Sequence, residues 1–333
     1  MSEPRIAVMG AGGWGTTLAG LLAGKGYDVR LWVREPEILE SIRARRENTR
    51  FLPGVTLPDT LRATPDMREA ADGAELLVVT TPSTWLRATC RALAAQLSSP
   101  VPPVLTVVKG LEIATGKRMS EVIREEIPAL PAIAALSGPN LAPEIARGLP
   151  AATVIASEDA VLAARAQELF QAPHFRPYTG SDMVGVEVCG AVKNVFAIAI
   201  GICQGLNFGD NANGSLLTRA AVEIGRLVAR LGGRPETVAG LSGMGDLVTT
   251  CLSPLSRNHR VGLAVGRGED FRTALGDSGQ VAEGVPTTEA VTRLARRLGV
   301  EMPLCEQVYA ILFEGRAPAD AVRALMSREP RSE

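Results

Sequence analysis

"RIAVMGAGGWGTTLAGLLAGKG", residues 5–26, decides the fold. An apolar run of strand length ends at Gly10, and a helical pattern occupies 14–26. The turn between them, Gly10 to Gly15, has the GxGxxG spacing in the strand–turn–helix setting that the motif requires. Gly10 allows the tight turn, Gly12 lets a pyrophosphate approach the backbone, and Gly15 lets the helix pack closely on the strand. The helix N-terminus offers free N–H groups and partial positive charge to phosphates. Glycine-rich turns also occur without ligands, but this placement at the head of a βαβ series favours a dinucleotide.

Outward from that turn, short apolar runs alternate with helical patterns. "DVRLWV" (28–33), "AELLVVTTP" (74–82), "PVLTVVKG" (103–110), "IAALSGP" (133–139) and "ATVIAS" (152–157) read as strands. Their nearly continuous apolar character fits strands buried on both faces of a parallel sheet. Segments 84–98 and 158–171 are of helix length. The expected fold is a Rossmann-like α/β domain with a doubly wound parallel sheet over 1–180. After that the helical stretches follow one another (181–206, 213–232, 235–248, 256–267, 286–298, 303–314, 317–327), giving an expected all-helical domain over 181–333.

The 333 residues suffice for two such domains, and 46% hydrophobic with 21% charged residues is ordinary for a soluble protein. A net charge of −1 argues against generic nucleic-acid or membrane-surface binding. Five scattered cysteines and two histidines suggest neither a disulfide framework nor a metal site, and fit a reducing, cytoplasmic compartment. No signal peptide is read at the start, and the apolar run from Val195 to Cys203 is too short to span a bilayer.

The second strand ends "LWVRE", with Arg34 before Glu35. An acidic residue at this point accepts from an NAD ribose, whereas an arginine pairs with the 2′-phosphate of NADP. Arg34 favours NADP, Glu35 leaves NAD open, and Arg34 as a plain loop cation has comparable weight. Lys109 ends the fourth predicted strand, where ligands of open α/β sheets bind. "SGPNLAPE" (137–144) lies at the same edge, with backbone N–H groups near Gly138, Asn140 and Ala142 placed to touch cofactor or substrate.

The second domain begins with an oddity. "CGAVKNVFAIAIGIC", Cys189 to Cys203, reads as an interior helix interrupted by Lys193 and Asn194, in a chain that otherwise uses lysine only at 25, 109 and 117. A buried ammonium needs a partner or loses its proton. Further on, "GLSGMGDLVTTC…PLSRNHR" (240–260) has three glycines that bring the backbone close to something, followed by Asp246. Ser256 reads as an N-cap, placing Arg257 and Asn258 in a first helical turn where N–H groups and a guanidinium converge on an anion. Asp246 is the expected partner of Lys193 in a crevice between the domains. Held there, the ammonium can give a proton to a carbonyl oxygen receiving hydride, and the amine can take it back. A lysine that snorkels to water is the alternative, nearly as well supported by the residues alone.

Taken together these motifs resemble the NAD(P)-dependent glycerol-3-phosphate dehydrogenases of bacterial type. "GAGGWGTTLA", "FLPGV", "VVKGLE", "SGPNLAPEIARGLP", "GAVKN", "GLSGMGDLVTTC", "SRNHRVG" and "VAEGVPTT" carry the likeness in order along the chain. The resemblance implies reversible hydride transfer between NADP or NAD and the central carbon of dihydroxyacetone phosphate or sn-glycerol 3-phosphate, supplying phospholipid synthesis. It implies Lys193 as general acid/base. It implies a substrate pocket of Lys109, Gly138, Asn140, Lys193, Asn194, Asp246, Ser256, Arg257 and Asn258. Cofactor contacts would come from Gly10, Gly12, Gly13, Trp14, Gly15, Arg34, Lys109, Ala142, Arg257, Val281 and Glu283. It also suggests a homodimer. Gly13 stands where the family commonly has Ser, Asn140 where Ser or Thr is usual, and His259 where Arg is frequent. Two other readings fit a chain of this kind: a dehydrogenase of the same architecture acting on a hydroxy acid, and an NADPH-sensing protein without turnover.

Overall fold

The computed structural model describes residues 3–275 and 282–329. Two compact units are present: the described residues of Met1–Lys109 with Arg118–Glu187, and those of Gly110–Lys117 with Val188–Glu333. The division falls inside a helix, seven residues beyond the 180/181 boundary read from the sequence. The segment 110–117 belongs with the second unit because Arg297 Nη2 donates to the Thr115 carbonyl at 2.9 Å.

The first unit is an eight-stranded sheet with helices on both faces. Its strands are β1 (Arg5–Met9), β2 (Asp28–Trp32), β3 (Arg62–Thr64), β4 (Leu76–Val79), β5 (Val104–Thr106), β6 (Ile133–Ser137), β7 (Ala151–Ser157) and β8 (Phe175–Gly180). Their spatial order is β3-β2-β1-β4-β5-β6-β7-β8. The pairings are parallel except that β7 runs antiparallel to β6. The helices are α1 (Gly13–Gly24), α2 (Pro36–Arg45), α3 (Met67–Ala71), α4 (Leu86–Ala94), α5 (Met119–Glu126), α6 (Ala142–Ala146) and α7 (Ala160–Phe170). Alternate residues of each central strand feed opposite cores. Ile6, Val8, Val29, Leu31 and Val78 pack with Leu18 and Leu22 of α1, while Ala7, Met9, Leu77 and Val79 pack with Cys90 of α4 and Ile123 of α5. Burial on both faces explains why these strands read as unbroken apolar runs.

Two strands escaped the sequence reading. β3 has only three residues, and β8 carries Pro177, which weighs against a strand. β8 nevertheless alternates, with Phe175 and Pro177 buried and Arg176 and Tyr178 exposed, as an edge strand with one covered face should. The reversal at β7 was equally invisible, because strand direction depends on the crossover and not on the run itself.

The second unit is helical: α8 (Met183–Gly205, which begins in the first unit), α9 (Asp210–Arg230), α10 (Asp246–Leu252), α11 (Arg257–Gly266), α12 (Phe271–Leu275), α13 (Gly284–Leu298), α14 (Pro303–Phe313) and α15 (Pro318–Met326). α8 is continuous through Lys193 and Asn194, so its 23 residues meet the length and hydropathy of a membrane span, contrary to the shorter run read from the sequence. Its most apolar window is 94% buried within the fold, as a core helix should be. α8 and α11 cross in backbone contact. A Cβ on Gly201 would lie 2.2 Å from the His259 carbonyl oxygen, and one on Gly262 would lie 2.1 Å from that of Ile198. This crossing sets the start of α11 beside Asn194 of α8, where the two are hydrogen-bonded.

Candidate active site

In the first unit, Gly10 leaves β1 at φ 129°, and Gly12 is the N-cap of α1. Neither a capping side chain nor an acidic residue occupies the first turn of α1, so its N–H groups have no competing partner from the cap or an adjacent acid. A Cβ on Gly15 would lie 2.1 Å from the Gly10 carbonyl oxygen, so the helix can start this close to the strand only with glycine there. Above Gly12 nothing lies within 4 Å of where a Cβ would stand. An open N–H cradle of this shape fits a dinucleotide pyrophosphate.

The remaining cofactor candidates divide. Thr17 of α1 donates to the Ala142 carbonyl at 3.3 Å, so the start of α6 sits against the cradle. A side chain at Gly13 would put Cβ 2.7 Å from the Phe51 carbonyl oxygen, which accounts for glycine at this departure from the family pattern. Trp14 packs edge-on to Phe175 at 6.3 Å as part of the core cluster, with its buried Nε1 lacking a partner. Arg34 Nε and Nη2 both donate to Glu35 Oε1, at 2.9 and 2.5 Å, with the Arg34 side chain 61% exposed. Lys109 Nζ donates to the Gly138 carbonyl at 2.9 Å, and Asn140 Nδ2 donates to Thr153 Oγ1 at 3.0 Å. Thr153 in turn donates to the Ser137 carbonyl at 2.9 Å. Lys109, Gly138 and Asn140 therefore meet at the carboxyl ends of β5 and β6, with Asn140 Oδ1 left without a partner.

In the second unit Lys193 is 5% exposed, and its Nζ donates to Asp246 Oδ1 and, at 2.6 Å, to Thr250 Oγ1. Thr250 donates to the same Asp246 oxygen at 3.2 Å. This arrangement answers the question raised by a lysine in an apolar helix: the ammonium is paired rather than snorkelling. Asp246 opens α10 and Thr250 follows four residues later on the same helix face. Thr250 was not singled out from the sequence, although the i, i+4 spacing in "DLVTT" was available. A one-turn π-helix, Leu241–Gly245, leads into Asp246. The backbone approach expected of its glycines is made within the chain: a Cβ on Gly243 would lie 2.0 Å from the Val238 carbonyl oxygen. Beside the pair, burial pushes the Cys251 thiol up to about 12, so it is no nucleophile.

Ser256 caps α11, its Oγ accepting from the His259 N–H at 3.2 Å. Arg257 is exposed in the first turn, flanked by the Glu283 carboxylate and the Arg260 guanidinium. Asn258 Nδ2 donates to Asn194 Oδ1 at 2.8 Å, and the Gly284 N–H donates to Asn258 Oδ1 at 2.9 Å. His259, the third departure, turns inward: its Nε2 meets Gln204 Oε1 at 2.8 Å, and burial lowers its pKa. Val281 lies outside the described residues. Among the described residues no group of three or more His, Cys, Asp or Glu side chains is arranged to hold a metal ion.

Comparison with known proteins assigns both parts of the chain to one lineage. The N-terminal family of NAD-dependent glycerol-3-phosphate dehydrogenases matches residues 5–163, and the C-terminal family matches 182–323. The chain belongs to the NAD-dependent glycerol-3-phosphate dehydrogenase family. A glycerol-3-phosphate dehydrogenase [NAD(P)+] of Chlorobium phaeobacteroides is 47% identical over 331 residues, covering 99% of each chain. One from Nitratidesulfovibrio vulgaris is also 47% identical, over 99% of this chain and 100% of its own. The crystal structure of glycerol-3-phosphate dehydrogenase from Coxiella burnetii superposes with a TM-score of 0.94 at 40% identity, covering 98% of this chain and 99% of that one.

Proposed function

We propose that the chain is an NAD(P)-dependent glycerol-3-phosphate dehydrogenase, interconverting dihydroxyacetone phosphate and sn-glycerol 3-phosphate. Near-full-length relatives that bear this name in two distant bacteria support the reading, as does the buried Lys193–Asp246–Thr250 cluster, which carries the chemistry. The bound nicotinamide supplies or accepts the hydride.

The chain's own residues do the rest. Gly10, Gly12, Gly13 and Gly15 bring backbone close to the pyrophosphate, with Trp14, Ala142 and Glu283 bordering the cofactor. Arg34 takes a 2′-phosphate or, held by Glu35, leaves the ribose hydroxyls to the carboxylate. Lys109, Gly138 and Asn140 meet substrate from the first unit. Ser256 and Arg257 hold the phosphate at the α11 N-terminus, with Arg257 also reaching cofactor, Asn194 donating to a substrate oxygen and Asn258 lining the pocket beside it. As hydride reaches the central carbon, the carbonyl oxygen gains negative charge and the Lys193 ammonium transfers a proton to it; in reverse the amine removes that proton from the hydroxyl. Asp246 and Thr250 keep Nζ in place throughout, both accepting from it.

The product is a phospholipid precursor. Cytoplasmic residence is supported by five buried cysteines, and the homodimer rests on the family resemblance alone. The test is initial-rate oxidation of NADPH and of NADH with dihydroxyacetone phosphate, run beside ketopantoate and a 3-oxo acid. Turnover with the phosphorylated triose alone is expected. Turnover only with a hydroxy-acid precursor, or tight NADPH binding with no turnover, refutes the proposal.

A further inference from the structure

One polar chain in the second unit reaches beyond the substrate residues named above, to the backbone at the start of α13. The N–H of Gly284, at the first residue of α13, donates to Asn258 Oδ1 at 2.9 Å, and Asn258 Nδ2 donates to Asn194 Oδ1 at 2.8 Å. Asn194 and Asn258 are 5% and 8% exposed, and Asn194 is the residue after Lys193. A side-chain amide can present either its oxygen or its nitrogen to a ligand, and only its neighbours decide which. A backbone N–H offers no such choice. Because Gly284 can only donate, Asn258 must turn its oxygen toward α13 and its nitrogen toward Asn194. Asn194 must then accept on Oδ1, which leaves its –NH2 as the end that can donate to a ligand.

The geometry leaves no slack at the origin of this relay. A Cβ on Gly284 would lie 2.6 Å from the Asn194 carbonyl oxygen, 2.9 Å from Asn258 Oδ1 and 2.9 Å from Ile198 Cδ1. Two of these three belong to the residues being oriented.

We propose that Gly284 and Asn258 are positioning residues that act through Asn194, fixing its amide so that the substrate pocket presents hydrogen-bond donors beside Lys193. The proposal rests on the activity assigned above and deepens it. A donor-only wall suits a ligand whose polar atoms are carbonyl, hydroxyl and phosphate oxygens. It penalises one that offers a donor at the same point, because two donors would then face each other.

The test is a double-mutant cycle read in the KM for dihydroxyacetone phosphate, a quantity independent of how much protein folds. Gly284→Ala is measured in the wild-type and Asn194→Ala backgrounds, and Asn258→Ala is run through the same cycle in case the α13 start does not tolerate a methyl group. The expected KM rises roughly tenfold for either variant in the wild-type background, the size of a lost hydrogen bond to a charged ligand. In the Asn194→Ala background the same substitutions should move KM less than about twofold, because the group they orient is gone. An unchanged KM, or effects that simply multiply with that of Asn194→Ala, overturns the proposal. Absence of turnover by the unmodified chain overturns the assigned activity, a result seen before any variant is made.

Discussion

Replacing Lys193 with Met, a side chain of similar length without the charge, leaves the Asp246 carboxylate buried without the ammonium that pairs with it, while the Thr250 hydroxyl still donates at 3.2 Å. The Asp246 side chain is 2% exposed, so water cannot take over the role of the ammonium. Orphaning one member of a buried pair costs about 3–5 kcal/mol. For a cooperative unit of this size that corresponds to a fall in Tm of roughly 6–20 °C. Asp246→Asn strands the ammonium instead and should cost about the same. The double variant Lys193→Met/Asp246→Asn removes both charges and should recover most of the loss. Independent effects would sum to about 6–10 kcal/mol, whereas the pair predicts about 1–3, a coupling of at least ~3 kcal/mol. Urea denaturation of the four proteins supplies the cycle. Additivity within ~0.5 kcal/mol would refute the claim that these side chains form one desolvated pair.

Three further outcomes follow from separate parts of the molecule. Thr250→Val keeps the shape but removes an acceptor 2.6 Å from Lys193 Nζ; we expect kcat to fall about tenfold with cofactor affinity unchanged, checked by initial rates and fluorescence titration. Glu35→Gln releases the exposed Arg34 guanidinium, and NADPH should tighten by about 2–5-fold relative to NADH, as measured by dissociation constants for both cofactors. Glu223 of α9 is 2% exposed and accepts from the Leu304 and Cys305 N–H groups at the head of α14, at 2.7 and 3.2 Å, yet burial pushes its carboxyl up to about 7. The folded state then holds a proton that the unfolded chain has already released. The stability this contributes is complete below the unfolded pKa near 4.5 and is lost as pH rises to about 7, roughly 3 kcal/mol in all. Glu223→Gln should flatten that slope, so the Tm of the variant gains on wild type between pH 5 and 7.5; parallel Tm curves would contradict it.

The legible parts of this protein were the ones whose cause is local. A strand buried on both faces is apolar at every position, and a phosphate cradle needs glycines at fixed offsets, so β1, its turn and α1 could be read from residues 5–26. Lys193 announced itself because an ammonium in an apolar helix demands a partner, and Asp246 was the carboxylate directly after the glycines of 240–245. What stayed hidden depends on contacts distant in sequence. Pro177 masked β8, whose strand character comes from pairing with β7. Thr250 looks like any helix threonine until Lys193, 57 residues earlier, is placed against it. The glycines of 240–245 advertised a close approach but not its object, which is the chain's own Val238 carbonyl. The orientation of Asn194 depends on Gly284, and nothing in either local sequence connects them.

The proposed function turns on proton exchange between the Lys193 amine and the substrate's central oxygen during hydride transfer. The most direct measurement is kcat for dihydroxyacetone phosphate reduction by Lys193→Ala and Lys193→Arg, alongside equilibrium binding of the reduced cofactor to each. A kcat loss of about 10²–10⁴-fold is expected in both variants, arginine included because a guanidinium does not give up its proton, with cofactor affinity held within about threefold. Arginine restoring full activity, or alanine retaining more than about a tenth of it, would contradict the account.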